Sequence, residues 1–376
     1  MEATDLTSAD YWKSGGVDVR LNPKRVVDSD GLQQFLETEC GIRSAVVLAT
    51  SGSGGAVKFV VLLKSAILAS ARAVNAHCGL TQDDRWLGGL STFHVGGLGI
   101  YARAFCNGAK VIPMEWDSWT RDGMTLVRAI EGARVTVTSL TPVHLHDLVS
   151  AGTVAPESLR GVFLGGGRIE ATLVKQARDL GWPIWATYGM SETASQIATS
   201  NDGRIDWLSL LPIWECRTDG EGRLAIRGEA LFSGYVTKQE GRWAFDTARD
   251  EDGWYTTGDR CELRQGELRF LGRCDDLVKV SGELISLSRL NLRLEGCGCK
   301  GVIVAVPDPR RESELVLVLE EAGDDSLLRF NNGLPLIEQA SRVVRVDQLP
   351  RTDAGKLDFV EIAVIAGASH FSQPTG

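Results

Sequence analysis

The chain has no long uninterrupted apolar segment. Its longest, Phe-Val-Val-Leu-Leu at 59–63, ends at Lys64, whereas a helix needs about 20 apolar residues to span a bilayer. The N-terminal stretch MEATDLTSADYW is polar and acidic, unlike a secretory signal peptide. We therefore expect no membrane span and a cytoplasmic location.

A surplus of positive charge is also missing. The 376 residues include 40 Lys plus Arg against 49 Asp plus Glu, a formal net charge of −9. Neutralising the phosphates of a nucleic acid requires such a surplus, so we expect no nucleic-acid partner. The acidic charge does not exclude a nucleotide ligand, because one phosphate-binding site needs only local hydrogen-bond donors. With 43% hydrophobic and 24% charged residues, the composition is that of a globular protein and excludes wholesale disorder.

The cysteines form no disulfide framework. The two closest, Cys297 and Cys299, are followed by no second Cys or His pair at zinc spacing, so ordinary reduced thiols are expected there. The other cysteines are far apart in the chain: Cys40, Cys78, Cys106, Cys216, Cys261 and Cys274.

Strand and helix patterns alternate in the first half of the chain. Apolar or β-branched segments at 132–140, 161–166 and 183–189 predict buried strands. Between them, Thr141-Pro142 predicts the start of one helix, and the amphipathic segment 170–181 predicts another, closed by glycine. This order indicates a parallel, doubly wound sheet. Ligands bind such sheets beyond the carboxyl ends of the strands, here Gly165-Gly166-Gly167 and Tyr188-Gly189.

The pattern changes twice further along. Short strands alternate with turn residues over 203–271, which predicts a meander or small β-barrel-like part. After residue 272, strands and a helix predict a small α+β unit. We expect an α/β fold with a large N-terminal domain (1–272) and a small, mobile α+β C-terminal domain (273–376), joined by a polar run.

Two segments rich in glycine or hydroxyl groups follow predicted strands. LATSGSGGAVK (48–58) would form an anion nest beside Lys58, although it lacks the Walker spacing; the alternative is a flexible surface turn. In YGMSETAS (188–195), Glu192 could ligate Mg²⁺ and Ser191 could donate to a phosphate oxygen. The alternative is a helix start capped by Ser191.

Three further polar segments are individually weak signals. In GWYTTGDR (253–260), Asp259 could bind a ribose diol or stabilise a turn. GRCDDLVKVSG (272–282) could be a domain junction or a solvated linker. LPRTDAGK (349–356) alone is a polar loop with one lysine, Lys356.

Together, in this order, the five segments resemble the adenylate-forming superfamily of acyl-CoA synthetases, firefly luciferases and peptide-synthetase adenylation domains. The resemblance covers about residues 45 to 360. A narrower resemblance, over 93–111, 139–148, 164–167, 188–199 and 252–262, is to the o-succinylbenzoate–CoA ligases of menaquinone biosynthesis.

The resemblance implies that a substrate carboxylate attacks ATP to form an acyl-adenylate, and that coenzyme A then displaces AMP after the C-terminal domain rotates. It implies ATP, Mg²⁺ and coenzyme A as cofactors. Lys356 would bridge the carboxylate and the α-phosphate, Ser191 would touch that phosphate, Glu192 would hold Mg²⁺, and Asp275 would be the hinge. The implied nucleotide and coenzyme A ligands are Thr50, Ser51, Gly52, Ser53, Gly54, Gly55 and Lys58 for the phosphates, Gly165, Gly166, Gly167, Tyr188 and Gly189 for adenine, Asp259 and Arg273 for ribose, and Lys279 and Gly282 for the pantetheine tunnel.

Four residues are expected near the acyl pocket. His94 matches the family's aromatic gate, or is a packed strand-end histidine. Arg103 lies in an otherwise apolar segment, so it either pairs with the second carboxylate of a dicarboxylate substrate or reaches the surface. Ser195 and Gln196 would lie near the same pocket.

Two departures from the family pattern bear on function. Gly54 and Val57 replace the usual Thr and Pro of the phosphate loop, and only 49 residues precede that loop. Either this shorter N-terminal region is sufficient for the enzyme, or a neighbouring subunit of a homo-oligomer compensates for it. The alternatives to an o-succinylbenzoate–CoA ligase are a ligase for another aryl or short-chain acid, an adenylation enzyme that loads a carrier protein, and a non-catalytic nucleotide-binding relative.

Overall fold

The chain divides into two compact units, each described separately. The computed structural model describes residues 5–23, 27–51, 57–114, 123–274, 277–281, 283–308, 310–323, 325–352 and 357–368. The first unit comprises Met1–Gly220, Leu224–Thr257 and Glu262–Phe270, and the second comprises Glu221–Arg223, Gly258–Cys261 and Leu271–Gly376. The predicted boundary between residues 272 and 273 stays a prediction.

Strands and helices alternate through the first 200 residues and strands follow. The strands are β1 Val17–Arg20, β2 Ala45–Ser51, β3 Val57–Leu63, β4 Arg85–Gly88, β5 Lys110–Pro113, β6 Val137–Leu140, β7 Gly161–Leu164, β8 Ile184–Tyr188, β9 Ala198–Ser200, β10 Leu208–Leu210, β11 Trp214–Thr218, β12 Arg223–Gly228, β13 Gly234–Gln239, β14 Arg242–Asp246, β15 Tyr255–Arg264 and β16 Glu267–Arg273. The α-helices are α1 Ala9–Lys13, α2 Ser29–Gln34, α3 Lys64–Cys78, α4 Val95–Asn107, α5 Met124–Ala133, α6 Pro142–Ser150 and α7 Ala171–Asp179.

The predicted parallel sheet is confirmed. Strands β5, β4, β6, β7 and β8 are neighbours in that order and pair in parallel. Every residue of β6 and β7 is buried, because helices cover both faces, as continuous apolar strands indicate. Val162 and Leu164 pack with α5, α6 and α7 in one core cluster, whereas Phe163 faces Arg103 of α4.

Local sequence signals explain the start of α6 and the end of α7. Thr141 caps α6 by accepting a hydrogen bond from the His144 N–H, and Pro142 is the first helical residue, as predicted. Gly181, with φ +86°, follows the end of α7. The predicted strand at 132–140 begins too early, because α5 continues to Ala133 and the chain reverses at Arg134, with φ 52°.

The predicted barrel-like part does not form among the described residues. Instead, β9, β10, β16, β15, β12 and β11 extend the parallel sheet beyond β8 in that order, and β13 and β14 join β1, β2 and β3 in a second sheet. Strand β13 pairs antiparallel with β3, with Tyr235 opposite Val60. The short strands thus complete two sheets begun much earlier in the chain.

The second unit has the predicted α+β composition. Its further elements are β17 Leu277–Val280, β18 Glu283–Ser286, α8 Leu287–Gly296, β19 Gly301–Asp308, β20 Glu312–Leu319, α9 Ser326–Asn331, β21 Arg342–Arg345 and α10 Phe359–Ala368. Strands β19 and β20 pair antiparallel, and β20 and β21 pair parallel. Among the helices in the described parts of the chain, none is long and apolar enough to cross a membrane.

Candidate active site

The carboxyl ends of β7 and β8 form an open edge lined by glycine. A Cβ on Gly165 would lie 2.2 Å from the Thr187 Oγ1, which itself donates a hydrogen bond to the Leu164 carbonyl at 3.0 Å. Gly165 therefore permits the two strand ends to approach closely. Gly166, with φ +77°, and Gly167 are exposed, so backbone rather than side chains faces solvent at the predicted adenine position.

Gly189 lets the chain fold back on itself immediately after β8. A Cβ there would lie 1.8 Å from the Ser195 carbonyl oxygen, a contact that no side chain can make. The loop between them holds a turn of 3₁₀ helix, Ser191–Thr193. It then continues through Ala194 and Ser195 at φ 53° and 153°, which is strained backbone of the kind concentrated at functional sites.

Glu192 in this turn is fixed at both its backbone and its carboxylate. Its carbonyl oxygen accepts from the Phe232 N–H at 2.8 Å. The Tyr235 hydroxyl donates to its Oε1 at 2.7 Å, and the Tyr255 hydroxyl lies 2.8 Å from that of Tyr235. Tyr188, which ends β8, instead packs its ring 5.5 Å from that of Phe270.

The chemistry at Glu192 fits a magnesium ion that is shared with a nucleotide. Mg²⁺ prefers oxygen ligands and is bound through one or two carboxylates together with substrate phosphates. Glu192 has one oxygen taken by Tyr235, and a carboxylate accepts at two oxygens. No cluster of three or more acidic, His or Cys side chains able to hold a metal occurs in the described residues, so phosphate oxygens would supply further ligands.

Arg103 is a buried cation in helix α4. It is 2% exposed, and burial lowers the pKa of its guanidinium to about 10, so the group stays charged at neutral pH. Its Cζ lies 5.7 Å from the Trp86 ring centre and 5.2 Å from that of Phe163. Its Nη2 donates to the Ser195 Oγ at 2.8 Å, while its Nε has no hydrogen-bond partner.

The other two residues predicted for the acyl pocket are His94 and Gln196. His94 is the residue before α4, and its ring lies 4.8 Å from that of Phe93. Gln196 is 4% exposed; its Oε1 accepts from the Thr199 hydroxyl, and its carbonyl accepts from the Trp214 indole at 2.9 Å. The side-chain oxygen of Gln196 is therefore engaged inside the protein.

Strands β2 and β3 hold the ends of the predicted phosphate loop together. Thr50 pairs with Lys58, and the Thr50 hydroxyl lies 3.4 Å from the Lys58 carbonyl. The Lys58 ammonium lies 5.1 Å from the Tyr235 ring centre. Of Ser51 only the strand position is described, and Gly52, Ser53, Gly54 and Gly55 lie outside the described residues, so their roles stay predictions.

The second unit brings together the two predicted ribose ligands. The Arg273 Nη1 lies 3.5 Å from the Asp259 Oδ1, and Asp259 is 7% exposed. Lys279 is exposed on β17. Asp275, Gly282 and Lys356 lie outside the described residues.

Comparison with known proteins identifies the family of this chain. Residues 42–236, more than half of the chain, match the AMP-binding enzyme family. The chain belongs to this family. A 2-succinylbenzoate–CoA ligase from Bacillus cereus is 28% identical over 351 residues, which cover 86% of this chain and 71% of that protein.

Solved structures of AMP-binding enzymes have a similar fold. Escherichia coli MenE, in a variant with bound OSB-AMS, superimposes with a TM-score of 0.73 at 27% identity over 86% of this chain and 69% of that one. The o-succinylbenzoate coenzyme A synthetase (MenE) from Bacillus subtilis, in complex with ATP and magnesium ion, gives 0.70 at 26% identity, over 83% and 68%. This AMP-binding enzyme thus spans about 70% of the length of these relatives.

Sequence reasoning missed three residues that this AMP-binding enzyme places at its site. Tyr235 and Phe163 lie in segments interpreted only as strands, and no sequence motif assigns a role to Trp86. Their contacts with Glu192, Lys58 and Arg103 depend on strand pairing between distant segments. A single sequence carries no local signal for such pairing.

Proposed function

We propose that this chain is an ATP-dependent acid–CoA ligase. A carboxylate oxygen attacks the α-phosphate of ATP, which forms an acyl-adenylate and releases pyrophosphate. The thiol of coenzyme A then attacks the acyl carbon, and AMP leaves. The acid we favour is o-succinylbenzoate, in menaquinone biosynthesis, and the similarity to 2-succinylbenzoate–CoA ligases supports this choice.

The buried charge of Arg103 is the observation that carries the choice of acid. A buried cation is normally compensated by a carboxylate, but Arg103 is surrounded by two aromatic rings and one hydroxyl. The rings tolerate the cation without neutralising it. A substrate with a second, unreactive carboxylate would supply the missing partner through a charge-assisted hydrogen bond.

The first unit also supports the nucleotide half of the proposal. The exposed backbone of Gly166 and Gly167 and the turn after Tyr188 lie at the carboxyl ends of the strands, where doubly wound sheets bind ligands. Lys58 would contribute positive charge towards the phosphates, and Ser191 a hydroxyl. Glu192 would hold Mg²⁺, which when bound neutralises part of the charge on the phosphates.

The remaining assignments rest on the sequence motifs. Asp259 and Arg273 would bind ribose, and Lys279 and Gly282 would line the path of the pantetheine arm. Lys356 would stabilise the charge that builds up on the phosphoryl oxygens during attack. His94 would border the acyl pocket, and Asp275 would be the pivot of the C-terminal domain.

Two wider assignments complete the proposal. We place the enzyme in the cytoplasm and expect it to form a homo-oligomer. Sedimentation of the purified protein tests the second point directly, since a monomer at working concentration would contradict it.

Pyrophosphate release from ATP across a panel of acids tests the proposed function. The panel contains o-succinylbenzoate, two half-analogues that each lack one of its carboxylates, benzoate, and a short dicarboxylate. We expect release with o-succinylbenzoate to exceed that with every other acid. Greater release with another acid would replace the substrate, and no release with any acid would contradict the ligase assignment.

A further inference from the structure

One side chain, Tyr235, contacts both the lysine of the predicted phosphate loop and the predicted metal ligand. Its ring lies beneath the Lys58 ammonium at 5.1 Å, and its hydroxyl donates to the Glu192 Oε1 at 2.7 Å. None of the motifs that carry the family resemblance includes this residue.

Strand register explains why Tyr235 reaches Lys58. Tyr235 of β13 lies opposite Val60 of β3. Residues two positions along the partner strand are diagonal neighbours on the same face, and Lys58 is two positions from Val60. Gly234 fixes the entry to β13, because a Cβ there would lie 2.3 Å from the Asp246 carbonyl oxygen.

Aromatic packing holds the Tyr235 hydroxyl at Glu192. The buried Phe232 ring lies 4.8 Å from the Tyr235 ring and 5.0 Å from the Tyr255 ring, both edge to face. The N–H of Phe232 also donates to the Glu192 carbonyl. The same short segment thus anchors the backbone of Glu192 and the ring that reaches its carboxylate.

The geometry and the chemistry of the two groups set the direction of the hydrogen bond. A carboxylate oxygen accepts, so the Tyr235 hydroxyl gives its one proton to the Glu192 Oε1. Its oxygen is then free to accept from Tyr255. The result is a chain of hydrogen bonds from Tyr255 through Tyr235 to Glu192.

We infer that Tyr235 is a positioning residue for the metal–nucleotide complex: its hydroxyl holds one oxygen of Glu192 and leaves the other for Mg²⁺, while its ring supports Lys58. Carboxylates that ligate metals are commonly held by such a second hydrogen bond, and its loss typically weakens metal binding about 10- to 100-fold. This inference rests on the proposed role of Glu192.

The test measures how strongly a metal ion tightens nucleotide binding. The affinity for α,β-methylene-ATP is measured by calorimetry with saturating Mn²⁺ and again with EDTA, and the ratio of the two is the metal coupling. We expect Tyr235→Phe to reduce this ratio about tenfold and to leave the metal-free affinity near that of the wild type. The phenyl ring keeps the contact with Lys58 and with Phe232, so a general structural defect would alter both measurements together.

Two further variants separate the possible failures. Tyr255→Phe keeps the hydrogen bond from Tyr235 to Glu192, so it should reduce the metal coupling less than Tyr235→Phe does. Glu192→Gln should reduce it at least as much, and adding Tyr235→Phe to that variant should have no further effect. Thermal melting of each variant checks that it is folded.

The outcomes distinguish this inference from the proposed function. Unchanged coupling in Tyr235→Phe, with reduced coupling in Glu192→Gln, would overturn the inference alone. Unchanged coupling in Glu192→Gln would overturn the metal assignment and the inference with it. If the wild-type enzyme does not bind the nucleotide at all, the proposed function is wrong.

Discussion

At the scale of single residues, Arg103 shows how a protein can keep a charge available in its interior. Trp86 is fully buried and Phe163 is 3% exposed, and their rings stack 5.6 Å apart next to the guanidinium. Replacing either ring by a carboxylate would neutralise the cation and remove its value for binding an anion. The sequence revealed the charge within an apolar helix, but its depth of burial and its aromatic neighbours required the fold.

Arg103→Leu tests this interpretation. Removing a buried charge in favour of an apolar side chain is structurally tolerated, whereas loss of a hydrogen bond to a charged group costs about 1.5–3 kcal/mol. We therefore expect the KM for o-succinylbenzoate to rise about 10- to 100-fold. The half-analogue without the unreactive carboxylate is the control, and its KM should hardly change.

Ser195→Ala is the milder companion variant. It removes one acceptor of Arg103 but keeps the cation, so the KM should rise less than in Arg103→Leu. An unchanged KM for o-succinylbenzoate in Arg103→Leu would show that the guanidinium does not contact the substrate.

At the scale of elements, the sequence predicted those strands and helix ends that depend on residues close together in the chain. Strands β7 and β8, the cap at Thr141 and the helix end at Gly181 follow from apolar runs and turn residues, and the structure contains them. The prediction of a barrel-like part was wrong because its strands pair with strands that are distant in sequence. The hairpin of β13 and β14 joins β3, not the strands β12 and β15 that precede and follow it in sequence. The contacts of Tyr235 were unpredictable for the same reason.

The turn after β8 gives a prediction at this scale. Gly189→Ala places a methyl group 1.8 Å from a backbone oxygen, so the turn must move. We expect a loss of stability of about 1–3 kcal/mol or more, seen as a lower midpoint in urea unfolding, together with weaker nucleotide binding.

Gly132→Ala is the matched control. Gly132 is exposed in helix α5 with nothing within 4 Å of its Cβ position. Alanine favours the helix by about 0.5–1 kcal/mol, so this variant should unfold at slightly higher urea. Equal midpoints for the two variants would contradict the role assigned to Gly189.

At the scale of the whole molecule, the predicted residues divide between the two units. Glu192, Arg103, Lys58 and the glycine edge belong to the first, whereas Asp259, Arg273 and the segment that contains Lys356 belong to the second. The proposed reaction has two chemical steps, and each would use a different set of these groups.

Lys356→Ala should separate the two steps. The ammonium stabilises charge on the phosphoryl oxygens during adenylation, so the variant should lose formation of the acyl-adenylate. It should still convert a supplied acyl-adenylate and coenzyme A to the thioester at near the wild-type rate. Equal loss of both steps in rapid-quench assays would mean that Lys356 has another role.

The fate of the carboxylate oxygen tests the central claim most directly. O-succinylbenzoate labelled with oxygen-18 in its carboxylates is converted to the thioester with ATP and coenzyme A, and the products are analysed by mass spectrometry. Activation as an acyl-adenylate transfers one labelled oxygen to AMP, and this is the result we predict. Label in inorganic phosphate or pyrophosphate, or AMP without label, would contradict the account.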